Sequence, residues 1–253
     1  MAVDYVKKGR LVSITWDRPP LNVLDVALLR QLDTALSTCA EQADIDAVVL
    51  RGAGERAFSA GVDIRDHTPE KVPEMLDAVH GVIRKVLSLP QVTIAAVRGV
   101  CLGGGLEIAS SCDLLIASED SSFATPEIFV GCYPPVALAR FSALIGYHRA
   151  AEMILTGRRF AAREAQAIGL INRVTSADQL DTGVQALADE LLGKSGAVVR
   201  LTLRGLRELS LPGFHQALKR SEEIYYNELL KTSDVGEGVA AFLEKRAPNW
   251  RHS

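Results

Sequence analysis

Short apolar runs alternate with segments of helical periodicity along the first half of the chain. Four runs are too short for helices and rich in branched side chains, and they predict β-strands at residues 11–16, 47–51, 92–97 and 114–117. Between the first two runs, Leu28, Leu32, Leu36 and Cys39 recur every three or four positions, which predicts an amphipathic helix packed on the sheet. Because a helix between consecutive strands requires a crossover, the pattern predicts parallel strands and an α/β fold.

Beyond residue 120 the apolar positions take helical spacing almost throughout. Six helices are predicted there, at residues 137–145, 150–155, 162–168, 178–192, 198–209 and 214–230. We therefore expect a catalytic core at residues 1–195 and a helical C-terminal region at residues 196–253. No Ser- or Pro-rich linker marks the division.

Composition narrows the class of protein. The chain has 253 residues, 48% of them hydrophobic, which fits one globular unit with a substantial core. No apolar run approaches the roughly 20 residues of a membrane span, and the first residues lack the apolar core of a secretion signal, so we expect a cytoplasmic protein without a membrane partner. The formal charge of -3 argues against a nucleic-acid partner. Arg200, Arg204 and Arg207, at helical spacing, are interpreted as a solvated helix face.

Cysteine and histidine give no sign of a metal or a disulfide. The four cysteines lie among apolar neighbours without CxxC spacing, and they are interpreted as reduced core residues. The five histidines form no HExxH pair on one helical face. We therefore expect neither a structural nor a catalytic metal.

Three consecutive glycines, Gly103 to Gly105, follow the predicted strand at 92–97 and precede an apolar helical segment. Glycine leaves backbone N–H groups uncovered, and the start of a helix adds a positive field, so the Gly104 amide is a candidate donor to an oxyanion. Glu107 lies three residues later on the same helical face, where the helix start favours its ionised form. The alternative, a tight turn with Glu107 as a favourable first-turn acid, is equally compatible with the spacing.

Two further segments carry candidate chemistry. The small-residue turn at 57–64 presents the Ala60 N–H as a second donor, or else it is an ordinary loop in which Asp63 caps a helix. Glu127 is followed by Ile128, Phe129 and Val130, and apolar surroundings raise the proton affinity of a carboxylate. Glu127 is therefore a candidate proton donor beside an ionised Glu107, although an isolated glutamate is commonly a surface residue and sequence alone does not bring the two together.

These segments, in this order, resemble the enoyl-CoA hydratase/isomerase (crotonase) family. The motifs are Trp-Asp-Arg-Pro from Trp16, Ala-Phe-x-Ala-Gly-x-Asp-Ile from Ala57, Gly-Gly-Gly-x-Glu from Gly103 and Pro-Glu-x-x-x-Gly from Pro126. Similarity continues from Thr156 to Asn172 and at the ending around Phe242. The resemblance implies a spiral of ββα units with a C-terminal helical trimerisation region, assembled as a homo-oligomer, a trimer or a dimer of trimers.

The resemblance also implies roles for individual residues. The backbone N–H groups of Ala60 and Gly104 would form an oxyanion hole around a thioester carbonyl, while Glu107 and Glu127 would handle water and a proton. No separate cofactor is implied, because coenzyme A is part of the acyl-CoA substrate. The residues implied to bind substrate or coenzyme A are Ala60, Gly61, Val62, Asp63, Ile64 and Gly103, with Arg18 near the phosphates.

One departure concerns the segment after Gly131. Family hydratases commonly continue there with Pro-Gly-Ala-Gly-Gly, whereas this chain has Cys132 followed by Tyr-Pro-Pro-Val-Ala. Proline has no N–H, so Pro135 supplies no donor and the acyl pocket is expected to be reshaped. The Pro-Pro-Val-Ala segment resembles a subgroup that includes cyclic dienoyl-CoA hydratases. The expected reaction is hydration of a conjugated acyl-CoA; the alternatives are double-bond isomerisation and a noncatalytic acyl-CoA- or RNA-binding scaffold.

Overall fold

A computed structural model describes residues 2–211 and 213–253 and shows a mixed α/β protein. Ten strands were assigned in the described residues: β1 (Val3–Lys8), β2 (Leu11–Trp16), β3 (Ala47–Gly52), β4 (Ala57–Ser59), β5 (Val92–Val97), β6 (Val100–Leu102), β7 (Leu114–Ser118), β8 (Ser122–Ala124), β9 (Phe160–Ala161) and β10 (Arg173–Thr175). The α-helices of the same residues are α1 (Val26–Ala40), α2 (Val72–Ser88), α3 (Gly104–Ser111), α4 (Pro135–Ile145), α5 (Tyr147–Thr156), α6 (Ala162–Ala167), α7 (Leu180–Leu192), α8 (Gly196–Ser210), α9 (Phe214–Asn227) and α10 (Ser233–Leu243).

The strands form two sheets that the chain enters alternately. One sheet has the order β1-β2-β3-β5-β7-β10, and the other has the order β4-β6-β8-β9. From β3 onwards, a strand of the first sheet is followed by a strand of the second and then by a helix, which gives the predicted ββα repeat. The pairs β2–β3, β3–β5 and β5–β7 are parallel, which confirms the prediction from the crossovers.

Local sequence explains the first crossover. Asp25 accepts the N–H of Leu28 and so caps α1, and the apolar face of α1, including Leu28, Leu32 and Leu36, is buried. The strands β3 and β5 are largely apolar without alternation because both of their faces are buried, one in a cluster with α7 and the other in the larger core cluster.

The C-terminal helices pack on the rest of the molecule. Phe214, Leu218, Tyr225 and Val235 belong to the same buried apolar cluster as Trp16 and the strands of the first sheet. Residues on both sides of position 195 therefore share one core, and the division at 195 stays a prediction.

The interpretation of the arginines on α8 as a solvated face is wrong for two of the three. Arg207 donates to both carboxylate oxygens of Asp113, at 3.0 and 2.6 Å, and its side chain is only 13% exposed. Arg200 pairs with the buried Asp46. Both pairs tie α8 to the ends of first-sheet strands, whereas Arg204 stays exposed beside Glu208.

The described residues contain neither a candidate membrane span nor a metal-binding cluster. No helix in 2–211 or 213–253 is both long enough and apolar enough to cross a membrane. Within the same ranges, no group of three or more histidine, cysteine, aspartate or glutamate side chains is arranged to hold a metal ion.

Candidate active site

Three chain segments meet at the carboxyl ends of neighbouring strands in the second sheet. The strands β4, β6 and β8 lie side by side and parallel, and each is followed by one of the segments singled out in the sequence. Val62 comes after β4, Gly103 and Gly104 after β6, and Glu127 after β8. Adjacent parallel strands that end together bring the segments that follow them together, as at the ligand sites of other α/β proteins.

Glycine is required at two of these positions. Gly103 has a φ of +51°, and a β-carbon there would lie 2.5 Å from Oε1 of Glu127. A β-carbon at Gly104 would lie 2.7 Å from Cγ2 of Val62 and 3.8 Å from the Val62 nitrogen. The glycines therefore allow the Glu127 carboxyl and the Val62 backbone to approach the start of α3.

The prediction that Ala60 supplies the second oxyanion donor is wrong in this structure. Its N–H already donates to the carbonyl of Leu21 at 2.9 Å. The Val62 N–H, two residues on, finds no acceptor within the described ranges, because the bridge to Leu24 uses the carbonyl of Gly61 and the amide of Asp63. The Gly104 N–H, at the first position of α3, likewise has no acceptor there. Gly104 and Val62 thus offer two unused amides on neighbouring backbone.

Glu107 lies on α3 and is buried, at 3% exposed, and its carboxyl group contacts the start of α4. Its Oε1 accepts the N–H of Ala137, in the first turn of α4, at 2.9 Å. Burial raises the pKa of Glu107 above its ordinary value, while His80 and the amides of Ala137 and Val136 oppose that rise. The pKa of Glu107 is therefore raised on balance, whereas its position at the start of α3 was expected to favour the ionised form.

Glu127 has fewer stabilising partners than Glu107. Its Oε2 is out of reach of solvent and has no hydrogen-bond partner among the described residues. Burial, and after it the negative charge of Glu107, raise the pKa of Glu127 to about 8. Because Glu107 has backbone donors and Glu127 lacks them at Oε2, the surroundings favour the proton on Glu127 over Glu107. The rise in the pKa of Glu127 has the cause expected from its apolar neighbours, and the roles of the pair as acid and base stay a prediction.

Comparison with known proteins places the chain in a family. The family model for enoyl-CoA hydratase/isomerase matches residues 7–253. The chain belongs to this family. The cyclohexa-1,5-dienecarbonyl-CoA hydratase of Thauera aromatica is 33% identical over 97% of this chain and 95% of its own. The carnitinyl-CoA dehydratase of Proteus mirabilis is 30% identical over 99% of this chain and 98% of its own. An enoyl-CoA hydratase structure from Mycobacterium avium subsp. paratuberculosis has a TM-score of 0.90 at 30% identity, over 99% of this chain and 98% of that one.

Most of the residues singled out by the family motifs line one pocket of about 190 Å³. Both glutamates, both glycines, Ala60, Gly61, Val62 and Ile64 line it. Tyr133, Pro134 and Pro135, from the segment expected to reshape the acyl pocket, line it as well. Its remaining wall includes residues that the sequence did not single out as pocket residues, among them His67, Leu76, Val79, Phe129, Tyr225 and Phe242. Tyr225 and Phe242 belong to the C-terminal helices α9 and α10, and no local motif marks them as pocket residues.

Two of the residues expected to bind coenzyme A lie outside this lining. Arg18 pairs with Asp25 at 3.0 Å and donates to the carbonyl of Val23. Asp63 accepts from the backbone and the side chain of Arg65, which holds the pKa of Asp63 down, at about 2. Asp63 therefore caps the short 3-10 helix Ile64–Asp66, as in the alternative interpretation of this loop. Contact of either residue with coenzyme A stays a prediction.

A larger cavity lies elsewhere, beneath α8. Its volume is about 1100 Å³, and its lining includes Ser110, Arg140, Leu203 and Phe214. Neither Glu107 nor Glu127 lines it. Size alone would single out this cavity, but the convergence of two carboxyls and two unused amides makes the smaller pocket the candidate active site.

Proposed function

We propose that the chain is an enoyl-CoA hydratase that adds water reversibly to a conjugated acyl-CoA double bond. The observation that carries the proposal is the meeting of Glu107, Glu127 and the free amides of Val62 and Gly104 in one pocket. Family membership supports a coenzyme A thioester as the substrate. The hydratase and dehydratase relatives support the addition or removal of water.

Each group has one task in the proposed reaction. The thioester oxygen accepts the N–H groups of Val62 and Gly104, which stabilise the negative charge that develops on that oxygen. Ionised Glu107 takes a proton from water as the water oxygen bonds to the β-carbon. The electrons of the double bond move towards the thioester oxygen, and protonated Glu127 then gives its proton to the acyl carbon chain. The product contains the atoms of one water, and the glutamates exchange protons with solvent before the next turnover.

The shape of the pocket supports a compact acyl group. A volume of about 190 Å³ is small for a ligand pocket, and Phe129, Tyr133, Tyr225 and Phe242 bring aromatic rings to its wall. One relative is named a cyclohexa-1,5-dienecarbonyl-CoA hydratase. We therefore propose a cyclic dienoyl-CoA as the preferred substrate, with short linear enoyl-CoA as the comparison.

Incubation with cyclohexa-1,5-dienecarbonyl-CoA and crotonyl-CoA in ¹⁸O water, followed by mass spectrometry of the products, tests this proposal. We expect the product of the cyclic substrate to gain one water carrying the label, and the linear substrate to react more slowly. A product of unchanged mass with a moved double bond would assign isomerisation instead. Tight binding of coenzyme A without turnover of any acyl-CoA would favour the noncatalytic scaffold.

The pH dependence of hydration follows from the two carboxyls. Glu127 has a pKa of about 8, so it keeps the proton it must donate below that pH and loses it above. Glu107 must be ionised to act as a base, so activity also falls as pH decreases through its pKa. We expect a bell-shaped profile of kcat/KM, with the alkaline limb near pH 8. A profile that stays flat through this pH would contradict the role of Glu127 as the acid.

We also propose that the protein is a homo-oligomer. The helix α8 carries four large apolar side chains that are more than half exposed in the single chain: Val198, Leu201, Leu206 and Leu209. Leu209 is 82% exposed. Apolar side chains in such a row support burial against another copy.

A further inference from the structure

A histidine in the wall of the pocket has no part in the proposed reaction. In the described part of the chain, the polar side chains that line the pocket are the two glutamates, Tyr133, Tyr225 and His67. The Tyr133 hydroxyl is already engaged, because it donates to the carbonyl of Ser221 at 2.7 Å. The rest of the lining consists of apolar side chains and glycines. His67 therefore adds a hydrogen-bonding group to a wall that is otherwise largely apolar.

The contact of one ring nitrogen fixes the tautomer of His67. Its Nδ1 lies 3.1 Å from the carbonyl oxygen of Asp63. A carbonyl can only accept, so Nδ1 is the donor and carries a proton. Burial lowers the pKa of His67 below its ordinary value, and the ring is therefore neutral at neutral pH. In this neutral ring the second nitrogen, Nε2, has a free lone pair and acts as an acceptor.

Nε2 of His67 is available to a bound molecule. It makes no hydrogen bond to any of residues 2–211 or 213–253, and unlike Nε2 of His80 it is not sealed from solvent. A ligand that displaces water from this acceptor without offering a donor leaves it unpaired, which costs free energy. The pocket therefore favours a ligand with a donor at this position over one without it.

The imidazole of His67 lies within reach of a short acyl group held by the proposed oxyanion donors. The Val62 amide and the Asp63 carbonyl belong to consecutive residues, which together span at most about 7 Å. Nδ1 of His67 is 3.1 Å from that carbonyl oxygen. Val62, His67 and both glutamates line the same pocket. An acyl group whose thioester oxygen accepts the Val62 N–H therefore occupies the space that the imidazole borders.

We propose that His67 is a binding residue for a hydroxyacyl thioester, in which Nε2 accepts a hydrogen bond from the hydroxyl on the β-carbon. The acyl part of an enoyl thioester is a hydrocarbon chain without a donor, whereas hydration places a hydroxyl on its β-carbon. The pocket accordingly holds the hydrated acyl group more tightly than the same group without the hydroxyl. The inference rests on the proposed function, because it takes the hydroxyl from the product of hydration.

Calorimetric titration with two thioesters that differ by one hydroxyl tests the proposal. The ligands are 3-hydroxybutyryl-CoA, as its separate enantiomers, and butyryl-CoA. All proteins carry Glu107→Gln and Glu127→Gln, so that the hydroxyacyl ligand is not dehydrated during the titration. We expect His67→Phe to raise the Kd of the tighter-binding hydroxyacyl enantiomer about tenfold and not to raise that of butyryl-CoA, because phenylalanine keeps a ring of similar size without the acceptor.

Two further variants separate hydrogen bonding from shape. His67→Gln places an amide oxygen near the position of Nε2, so it is expected to bind the hydroxyacyl ligand more tightly than His67→Phe does. His148 is exposed and does not line the pocket, and His148→Phe should change neither Kd. Equal weakening of both ligands in His67→Phe, or no weakening of the hydroxyacyl ligand, would overturn the proposal.

Nitrogen NMR of protein labelled with ¹⁵N-histidine, in the same glutamine background, gives an independent readout. The chain has five histidines, and loss of one set of ring signals in His67→Gln assigns those of His67. We expect a proton on Nδ1 and none on Nε2, and a shift of the Nε2 signal with 3-hydroxybutyryl-CoA that butyryl-CoA does not produce. A protonated Nε2 in the free protein would contradict the proposal, even if His67→Phe does not fold. If the wild type hydrates no acyl-CoA, the proposed function fails, while these binding measurements still decide the role of His67.

Discussion

Replacement of Glu107 by glutamine is expected to lower kcat for hydration by about 10²–10⁴-fold, the range for loss of a general acid or base. Glutamine has the shape of glutamate, and its Oε1 can still accept the N–H of Ala137 that Glu107 accepts at 2.9 Å. The start of α4 therefore keeps its cap while the pocket loses its base. Steady-state hydration rates and melting temperatures of the variant and the wild type check the prediction.

Glu119→Gln provides the control for this variant. Glu119 is an exposed carboxylate that does not line the pocket, and its ion pair with Arg163 is long at 3.9 Å. We expect this variant to hydrate substrate at the wild-type rate. Equal rates for Glu107→Gln and Glu119→Gln would remove Glu107 from the mechanism, whereas loss of stability in Glu107→Gln alone would point to a purely structural carboxylate.

The second large effect is expected from Gly104→Ala, which should reduce kcat by about 10²–10³-fold, the typical loss when one oxyanion donor is misplaced. The added β-carbon would lie 2.7 Å from Cγ2 of Val62, so the loop that carries the Val62 amide has to move. The two N–H groups then no longer converge on one oxygen. Hydration kinetics measure the effect, and a comparison of kcat with KM shows whether the transition state or substrate binding is affected.

Two further variants determine whether the contact between the added β-carbon and Val62 causes the loss of kcat. Gly81→Ala adds the same methyl group on α2, where no atom lies within 4 Å, and it should leave kcat unchanged. Val62→Ala removes the methyl group that the new β-carbon would meet, so the double variant Gly104→Ala/Val62→Ala is expected to regain activity relative to Gly104→Ala. Full activity of Gly104→Ala alone would show that these amides do not form an oxyanion hole.

The apolar pattern of the sequence predicted the central strands but not the second sheet. The strands β2, β3, β5 and β7 lie within one residue of their predicted bounds, because buried parallel strands form continuous apolar runs. The strands β4, β6 and β8 have three residues each, too few for any periodicity to show. The helix α2 was not predicted either, although Val72, Leu76, Val79, Ile83 and Val86 recur at helical spacing and are buried.

The glutamates of the site could be predicted from the sequence, but their surroundings could not. Glu107 and Glu127 belong to recognisable motifs, and their proximity depends on the pairing of β6 with β8, which joins residues about twenty positions apart. Whether Ala60 or Val62 has an unused N–H depends on which of the two donates to the carbonyl of Leu21. That hydrogen bond joins segments far apart in the sequence. The pairing of Arg207 with Asp113 spans 94 positions and is likewise invisible to helical periodicity.

Tyr225 and Phe242 reach the pocket from helices near the end of the chain, while Glu107 and Glu127 come from its middle. Discrimination among acyl groups can therefore change without alteration of the glutamates or the amides, through substitutions in α9 and α10 alone. Grafting the terminal helices of one relative onto the body of another would be a way to exchange substrate preference while the groups proposed to add water stay unchanged.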